Sequence, residues 1–187
     1  YKNRACRDLL WYLLGLLIEM LKLGSKLSVR IQISKPLKGI IGGLALIGLV
    51  FIFSNQYLGL GLDTIQSTLE GAKTVWYAFI LKIIFTSITL NFGGSGGIVT
   101  PIFFIGSTAG SLFANFLGLD IATFSAVGLV AVLAGAANTP IAASIMAVEL
   151  FGPKVAPYAT VACVISFLMT GHRIVYPSKI LSIKKSP

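Results

Sequence analysis

The chain has 187 residues, 56% of them hydrophobic and only 11% charged, with a formal net charge of +9. A soluble domain carries about 25% charged residues, yet from 83 to 148 the only formally charged side chain is Asp120. Such a stretch cannot supply a water-facing surface of ordinary size, which excludes a soluble globular fold and makes lipid the solvent. The positive charge does not point to nucleic acid, because it sits on the flanks. Lys2, Arg4, Arg7, Lys22, Lys26, Arg30, Lys35 and Lys38 precede the main apolar blocks, and Lys179, Lys184 and Lys185 follow them. Basic flanks on short loops fit the positive-inside bias and place both ends in the cytoplasm. Lys73 and Lys154, in loops between blocks, weigh against that orientation. Cys6 and Cys163 form no disulfide framework or metal-ligand pattern, so packing roles and no cofactor are expected. Tyr1 is not an initiator, and the chain is expected to be part of a longer protein.

The apolar blocks predict helices in the following order. Residues 9–23 form a helix containing Glu19 and Lys22, and 37–53 form a transmembrane helix in which Gly42, Gly43 and Gly48 allow close approach of a neighbour. Residues 63–70 read as a short amphipathic helix capped by Asp63 or Thr64, and 75–90 as a span interrupted by Lys82. The run 91–97, Asn-Phe-Gly-Gly-Ser-Gly-Gly, breaks the chain before an apolar helix over 98–117. Helices over 122–137 and 141–151 are separated by Asn138-Thr139-Pro140. At about 1.5 Å per residue these two reach only about 24 and 17 Å, short of a hydrocarbon core of about 30 Å. Residues 155–169 form a further helix, and Pro177 starts a last short one. Helices that stop inside a membrane line polar sites in channels and transporters.

Chemistry concentrates at 93–101, Gly-Gly-Ser-Gly-Gly-Ile-Val-Thr-Pro. The glycines let the chain turn and let amides approach a ligand, and Pro101 suits the first turn of a helix. The free N–H groups of Ile98, Val99 and Thr100, with Gly97 before them, then face outward at the positive end of the helix dipole and form an anion site without a charged side chain. Moving an ion out of water costs several kcal/mol, while one helix end returns about 0.3–2 kcal/mol, so further donors must converge. The same run also serves as a glycine-rich packing break, and the motif alone leaves both readings open. Tyr176, between the last apolar span and Pro177, supplies either a hydroxyl donor to an anion or a ring in the interfacial aromatic belt. Lys82 is an ionisable residue within a span, and a structural role holding a carbonyl or carboxylate, or snorkelling, is expected before ion contact. Glu149 and Lys154 read as a local pair or cap-region contact.

The motifs at 97–101 and Tyr176, in this order and spacing, resemble the CLC family of chloride channels and proton-coupled anion exchangers. Gly97-Ile98-Val99-Thr100-Pro101 is similar to the family's G-x-F-x-P segment at the start of a pore helix, with Val99 where phenylalanine is usual. The run 133–149, with its Asn-Thr-Pro break, resembles the paired helices that follow, and Tyr176 matches the tyrosine whose hydroxyl reaches the central ion. The resemblance covers 37–181. It implies an all-α integral membrane fold, the second inverted repeat of a CLC-type fold with several short, broken helices. Residues 1–35 are then a basic helix and linker, and 36–187 the pore-forming repeat. It further implies a bound halide held by Gly97, Ile98, Val99, Thr100 and Tyr176, a homodimer, a first repeat of the same protein carrying the remaining ion ligands and the gating glutamate, and the plasma (inner) membrane of a prokaryote as the location. No G-K/R-E-G-like sequence occurs here. Val99-Thr100 resembles the fluoride-exporting branch more than the chloride branch, so chloride and fluoride both stand as candidate ions.

Two other classes compete. Gly93-Gly94-Ser95-Gly96 fits the G-x-S-G pattern of rhomboid-like intramembrane serine proteases, with His172 as general base. A Ser–His dyad needs its side chains within about 3 Å, and His172 stands beside Arg173 at the end of its span, where a loop is expected. A membrane assembly module is the third reading, and it leaves the two broken helices unexplained.

Overall fold

An apolar chain in lipid must satisfy its backbone N–H and C=O groups internally, and helices do so segment by segment. The computed structural model, which describes Glu19, Leu23, residues 35–92, Gly94 and residues 96–170, follows that rule. Among the described residues there are seven α-helices, one 3-10 turn and no strand: α1 (Lys35–Phe53), the turn Asn55–Tyr57, α2 (Leu62–Leu69), α3 (Ala78–Asn91), α4 (Val99–Leu117), α5 (Ile121–Ala137), α6 (Pro140–Phe151) and α7 (Ala156–Thr170). The helices expected at 9–23 and from Pro177 lie outside the described residues. Only α4, among the described residues, is long and apolar enough to cross a membrane by length and composition. The 14, 12 and 15 residues of α3, α6 and α7 rise about 21, 18 and 22 Å, short of the hydrocarbon thickness.

The core is the crossing of α4 and α5. A Cβ on Gly106 would lie 2.6 Å from the carbonyl oxygen of Gly128, one on Gly110 2.2 Å from that of Phe124, and one on Gly128 2.4 Å from that of Gly106. Residue 106 thus meets 128 and residue 110 meets 124, so the helices run antiparallel with their backbones in contact. The connecting residues are short: Gly118 turns the chain at φ +64°, and Asp120 caps α5 by accepting from the Thr123 N–H at 3.0 Å. Around this crossing Ile102, Phe104, Ile105 and Val130 are fully buried, joined by Tyr57 and Phe85 on one side and Ile83 and Val132 on the other. Helices α6 and α7 pack on the far side of α5 and on each other.

The break between α5 and α6 falls where the sequence places it. Asn138 sits at φ +58° and Pro140 opens α6, each suited to its position. Four local expectations differ. Helix α2 starts one residue early with Gly61 (φ +71°) at its N-cap and no side-chain cap, so neither Asp63 nor Thr64 caps it. Helix α3 starts at Ala78 rather than at 75, after a turn at Trp76–Tyr77 in which the two rings meet edge to face. On α1, Gly42 does permit close approach, to Phe92, but nothing lies within 4 Å of a Cβ built on Gly43 or Gly48. Glu149 and Lys154 form no ion pair; both are exposed.

Several hydroxyls inside the bundle are quenched locally. Thr89, Thr108, Ser144 and Thr170 each donate to the carbonyl four residues back, at 2.7–2.8 Å, which removes the cost of a bare O–H in an apolar medium. The outer surface is apolar: Ile40, Leu44, Ile47 and Phe51 on α1, Ile141, Ile145 and Val148 on α6, and Tyr158, Val161 and Leu168 on α7 are all exposed. The glycine crossing makes a direct prediction. Gly110→Ala in the full-length protein forces backbone against backbone, and overpacking of this kind costs about 1–3 kcal/mol. Its thermal unfolding in detergent should fall below that of the parent, whereas Gly118→Asn, which keeps a residue tolerant of positive φ, should leave it nearly unchanged.

Candidate functional site

The start of α4 is shaped by what precedes it. Helix α3 ends at Asn91, and the Gly94 N–H bonds back to the Thr89 carbonyl at 2.9 Å. A Cβ on Gly94 would sit 2.7 Å from Thr89 Cγ2 and 2.8 Å from its carbonyl oxygen, so glycine is required there. At Gly97 no atom lies within 4 Å of such a Cβ, and Gly96, Gly97 and Val99 are exposed. The first intrahelical bond runs from the Ile102 N–H to the Ile98 carbonyl at 3.1 Å. The N–H groups of Val99 and Thr100 therefore precede the ladder, Pro101 has none to offer, and the N-cap Ile98 brings no side-chain hydrogen bond. Of the predicted site residues, the structure gathers Gly97, Ile98, Val99 and Thr100 at one open helix end, where aligned amides attract negative charge. Tyr176, Ser95 and His172 lie outside the described residues.

Beside this end is a cavity of about 160 Å³. It is bounded by Gly96, Gly97 and Pro101 at the start of α4, by Lys82, Phe85, Thr86 and Thr89 along α3, and by the segment from Tyr57 to Leu60. The Lys82 ammonium donates to the carbonyl oxygens of Gly59 at 2.7 Å and Tyr57 at 3.2 Å, and stands 4.8 Å from the centre of the Phe104 ring. The carbonyl-holding role expected for Lys82 is what the structure shows. The segment that it holds was not foreseen. Gly59 and Gly61 both have positive φ, +67° and +71°, and this turn brings the carbonyls onto the ammonium. A Cβ on Gly61 would be 2.7 Å from the Phe104 ring. The signal was present in the alternating run Gly59-Leu60-Gly61-Leu62-Asp63, which reads as a turn once the lysine opposite it is known.

With this geometry in place the comparisons decide the family. The family model described as voltage gated chloride channel matches residues 12–171. The chain is a member of the CLC family. The CLC chain is 40% identical over 162 residues to a chloride/fluoride channel protein of Pseudomonas syringae pv. tomato, covering 83% of this chain and 35% of that protein. It is 28% identical over 158 residues to a voltage-gated ClC-type chloride channel of Escherichia coli, covering 78% of this chain and 38% of the relative. The crystal structure of a CLC-type fluoride/proton antiporter superposes with a TM-score of 0.85 at 28% identity, over 92% of this chain and 44% of that one. The CLC chain thus spans less than half the length of each of these relatives, and its all-helical fold corresponds to half of a CLC fold. Family members are integral membrane proteins, and the Ser95–His172 protease reading finds no support among these relatives.

No carboxylate among the described residues lines the cavity. Glu149 is exposed near the end of α6. Asp120 is exposed in the loop before α5, and hydrogen bonds from the Thr123 hydroxyl and backbone N–H hold its carboxyl below the usual carboxylate range. A carboxyl with a lowered folded-state pKa contributes stability above its unfolded value, about 3.9, which is lost as pH falls through the folded value. Asp120→Ala should lower thermal stability at pH 7 by about 0.5–2 kcal/mol, the ordinary range for a lost N-cap. The gap between variant and parent should close once the pH is taken below 4, as thermal melts across that range would record.

Proposed function

We propose that this chain is the second repeat of a CLC anion pathway and helps pass halide ions, chloride and fluoride being the candidates, through the plasma membrane of a prokaryote. The observation that carries the reading is the open start of α4, where the amides of Val99 and Thr100 lie ahead of the helix ladder. The Ile98 amide and the flexible Gly97 complete the cradle, and Tyr176 adds a hydroxyl. Residues 1–35 serve as the basic leading segment and 36–187 as the pore-forming repeat, completed by a first repeat of the same protein that supplies the remaining ligands and the gating carboxylate. A site made of dipoles holds an ion firmly enough to select it and weakly enough to release it.

Fluoride is favoured by Val99-Thr100 and by the names of two of the three relatives: one is called a chloride/fluoride channel protein, and the superposed structure is a fluoride/proton antiporter. If protons move as well, the relay belongs to the other repeat, because Asp120 and Glu149 are exposed and neither lines the cavity beside the start of α4. No enzymatic step and no cofactor enters this reading.

The test is halide efflux from liposomes and calorimetric binding with the full-length protein, chloride and fluoride side by side. Tyr176→Phe removes one donor to a charged partner, worth about 1.5–3 kcal/mol, and should weaken halide binding roughly ten-fold or more. Unchanged binding and flux of both ions would return Tyr176 to the aromatic belt. Pro101→Ala should change little, since the amide at that position is not a proposed donor.

The apolar faces of α6 and α7 fit a subunit interface. Ile141, Ile145 and Val148 are spaced at one face of α6, and Tyr158, Val161 and Leu168 line α7. We propose that two subunits pair there, each with its own pathway. Cysteines placed at 145 and 161 should crosslink subunits in lipid, whereas cysteines at 44 and 51 on α1 should not.

A further inference from the structure

The buried charge beside the start of α4 has no counter-charge among the described residues. Lys82 is 1% exposed, and its partners are two carbonyl dipoles and a ring face. None of the carboxylates among the described residues pairs with it. An ammonium has three N–H donors, and the two carbonyls take two of them. A lone charge of this kind is costly in a low-dielectric interior, and a small anion within reach would offset that cost.

A second side chain points the same way. Thr86 stands one turn from Lys82 on the same face of α3, is 6% exposed and lines the cavity. Unlike Thr89, Thr108 and Thr170, it donates to no carbonyl, and it has no hydrogen-bond partner among the described residues. Ser125 and Ser166 also lack partners, but neither lines this cavity. An unengaged hydroxyl and a spare ammonium proton therefore border a space of about 160 Å³, ample for one halide and a few waters at about 30 Å³ each.

We infer that the cavity between α3 and the start of α4 is a second anion position, in which a halide accepts from the Thr86 hydroxyl and the Lys82 ammonium. The position adjoins the proposed site through Gly97 and Pro101, which border the cavity. The inference deepens the proposed halide passage and rests on it. The fixed charge makes this the tighter of the two positions for a waiting ion, and the dipole site at Val99 and Thr100 the one that releases it.

The test uses crystals of the full-length protein soaked in bromide, read by anomalous scattering, with Thr86→Val and Thr86→Ser beside the parent. The parent should show one bromide at the start of α4 and another within hydrogen-bond reach of Lys82 Nζ and Thr86 Oγ1. Thr86→Val, nearly the same shape, should lose most of the cavity bromide and keep the other, and Thr86→Ser should retain both. In liposomes, the halide concentration that gives half-maximal flux should rise roughly ten-fold in Thr86→Val, as expected for one lost hydrogen bond to an ion. A parent map with bromide at the start of α4 and none in the cavity would overturn this inference and leave the proposed function standing. Bromide in neither position would overturn both. A cavity bromide undiminished in Thr86→Val would remove Thr86 from the site and sink the assignment.

Discussion

The contact between the backbones of α4 and α5 governs the rest of the structure. Gly106, Gly110 and Gly128 leave no room for a Cβ on either side, so the two helices meet at one register. In lipid there is no hydrophobic force to press helices together, and close backbone packing must supply the association. Fixing that register fixes where α4 begins relative to α3 and to the segment from Tyr57 to Leu60. The open amides at Val99 and Thr100 are held in place by a crossing two to three turns away.

The second constraint is electrostatic and acts through the same helix. Phe104 lies on α4, its ring takes the Lys82 ammonium on its face, and it leaves no room for a side chain at Gly61. The lysine holds the carbonyl oxygens of Tyr57 and Gly59 on its ammonium. A bare carbonyl oxygen repels an anion, and one engaged by an ammonium repels it less, while the ammonium itself adds positive potential. Dipoles alone return about 0.3–2 kcal/mol at one helix end, against several kcal/mol for desolvating the ion. A buried full charge nearby changes that balance more than another amide would.

Much of this was legible in the sequence. The Asn138-Thr139-Pro140 break and the glycine run before Pro101 are local signals, because Pro, Gly and Asn restrict or free φ whatever surrounds them, and both appear where expected. The glycines of the main crossing were harder to read. Gly42, Gly43 and Gly48 cluster on α1 and looked like the packing surface, yet the tight crossing uses Gly106, Gly110 and Gly128, which become one surface only when α5 folds back on α4. Thr64 and Asp63 have the chemistry of a cap, but Gly61 holds the N-cap because the turn over Lys82 requires positive φ there. Each of these misreadings concerns a partner far along the chain, which periodicity cannot supply.

The exposures explain why the site belongs at a seam. Gly96, Gly97 and Val99 are open while the stretch of α4 from Pro101 to Ser111 is buried or nearly so. An anion resting on the open amides would keep most of its water in this half alone, and an ion that keeps its water is weakly selected. Selection requires replacing that water with fixed donors on the remaining sides. A first repeat laid against the start of α4 would do this with further helix ends and hydroxyls, and no change in α4 itself would be needed. On the proposed reading the half-fold presents a dipolar floor, and discrimination between fluoride and chloride would be set by how closely a facing half approaches it.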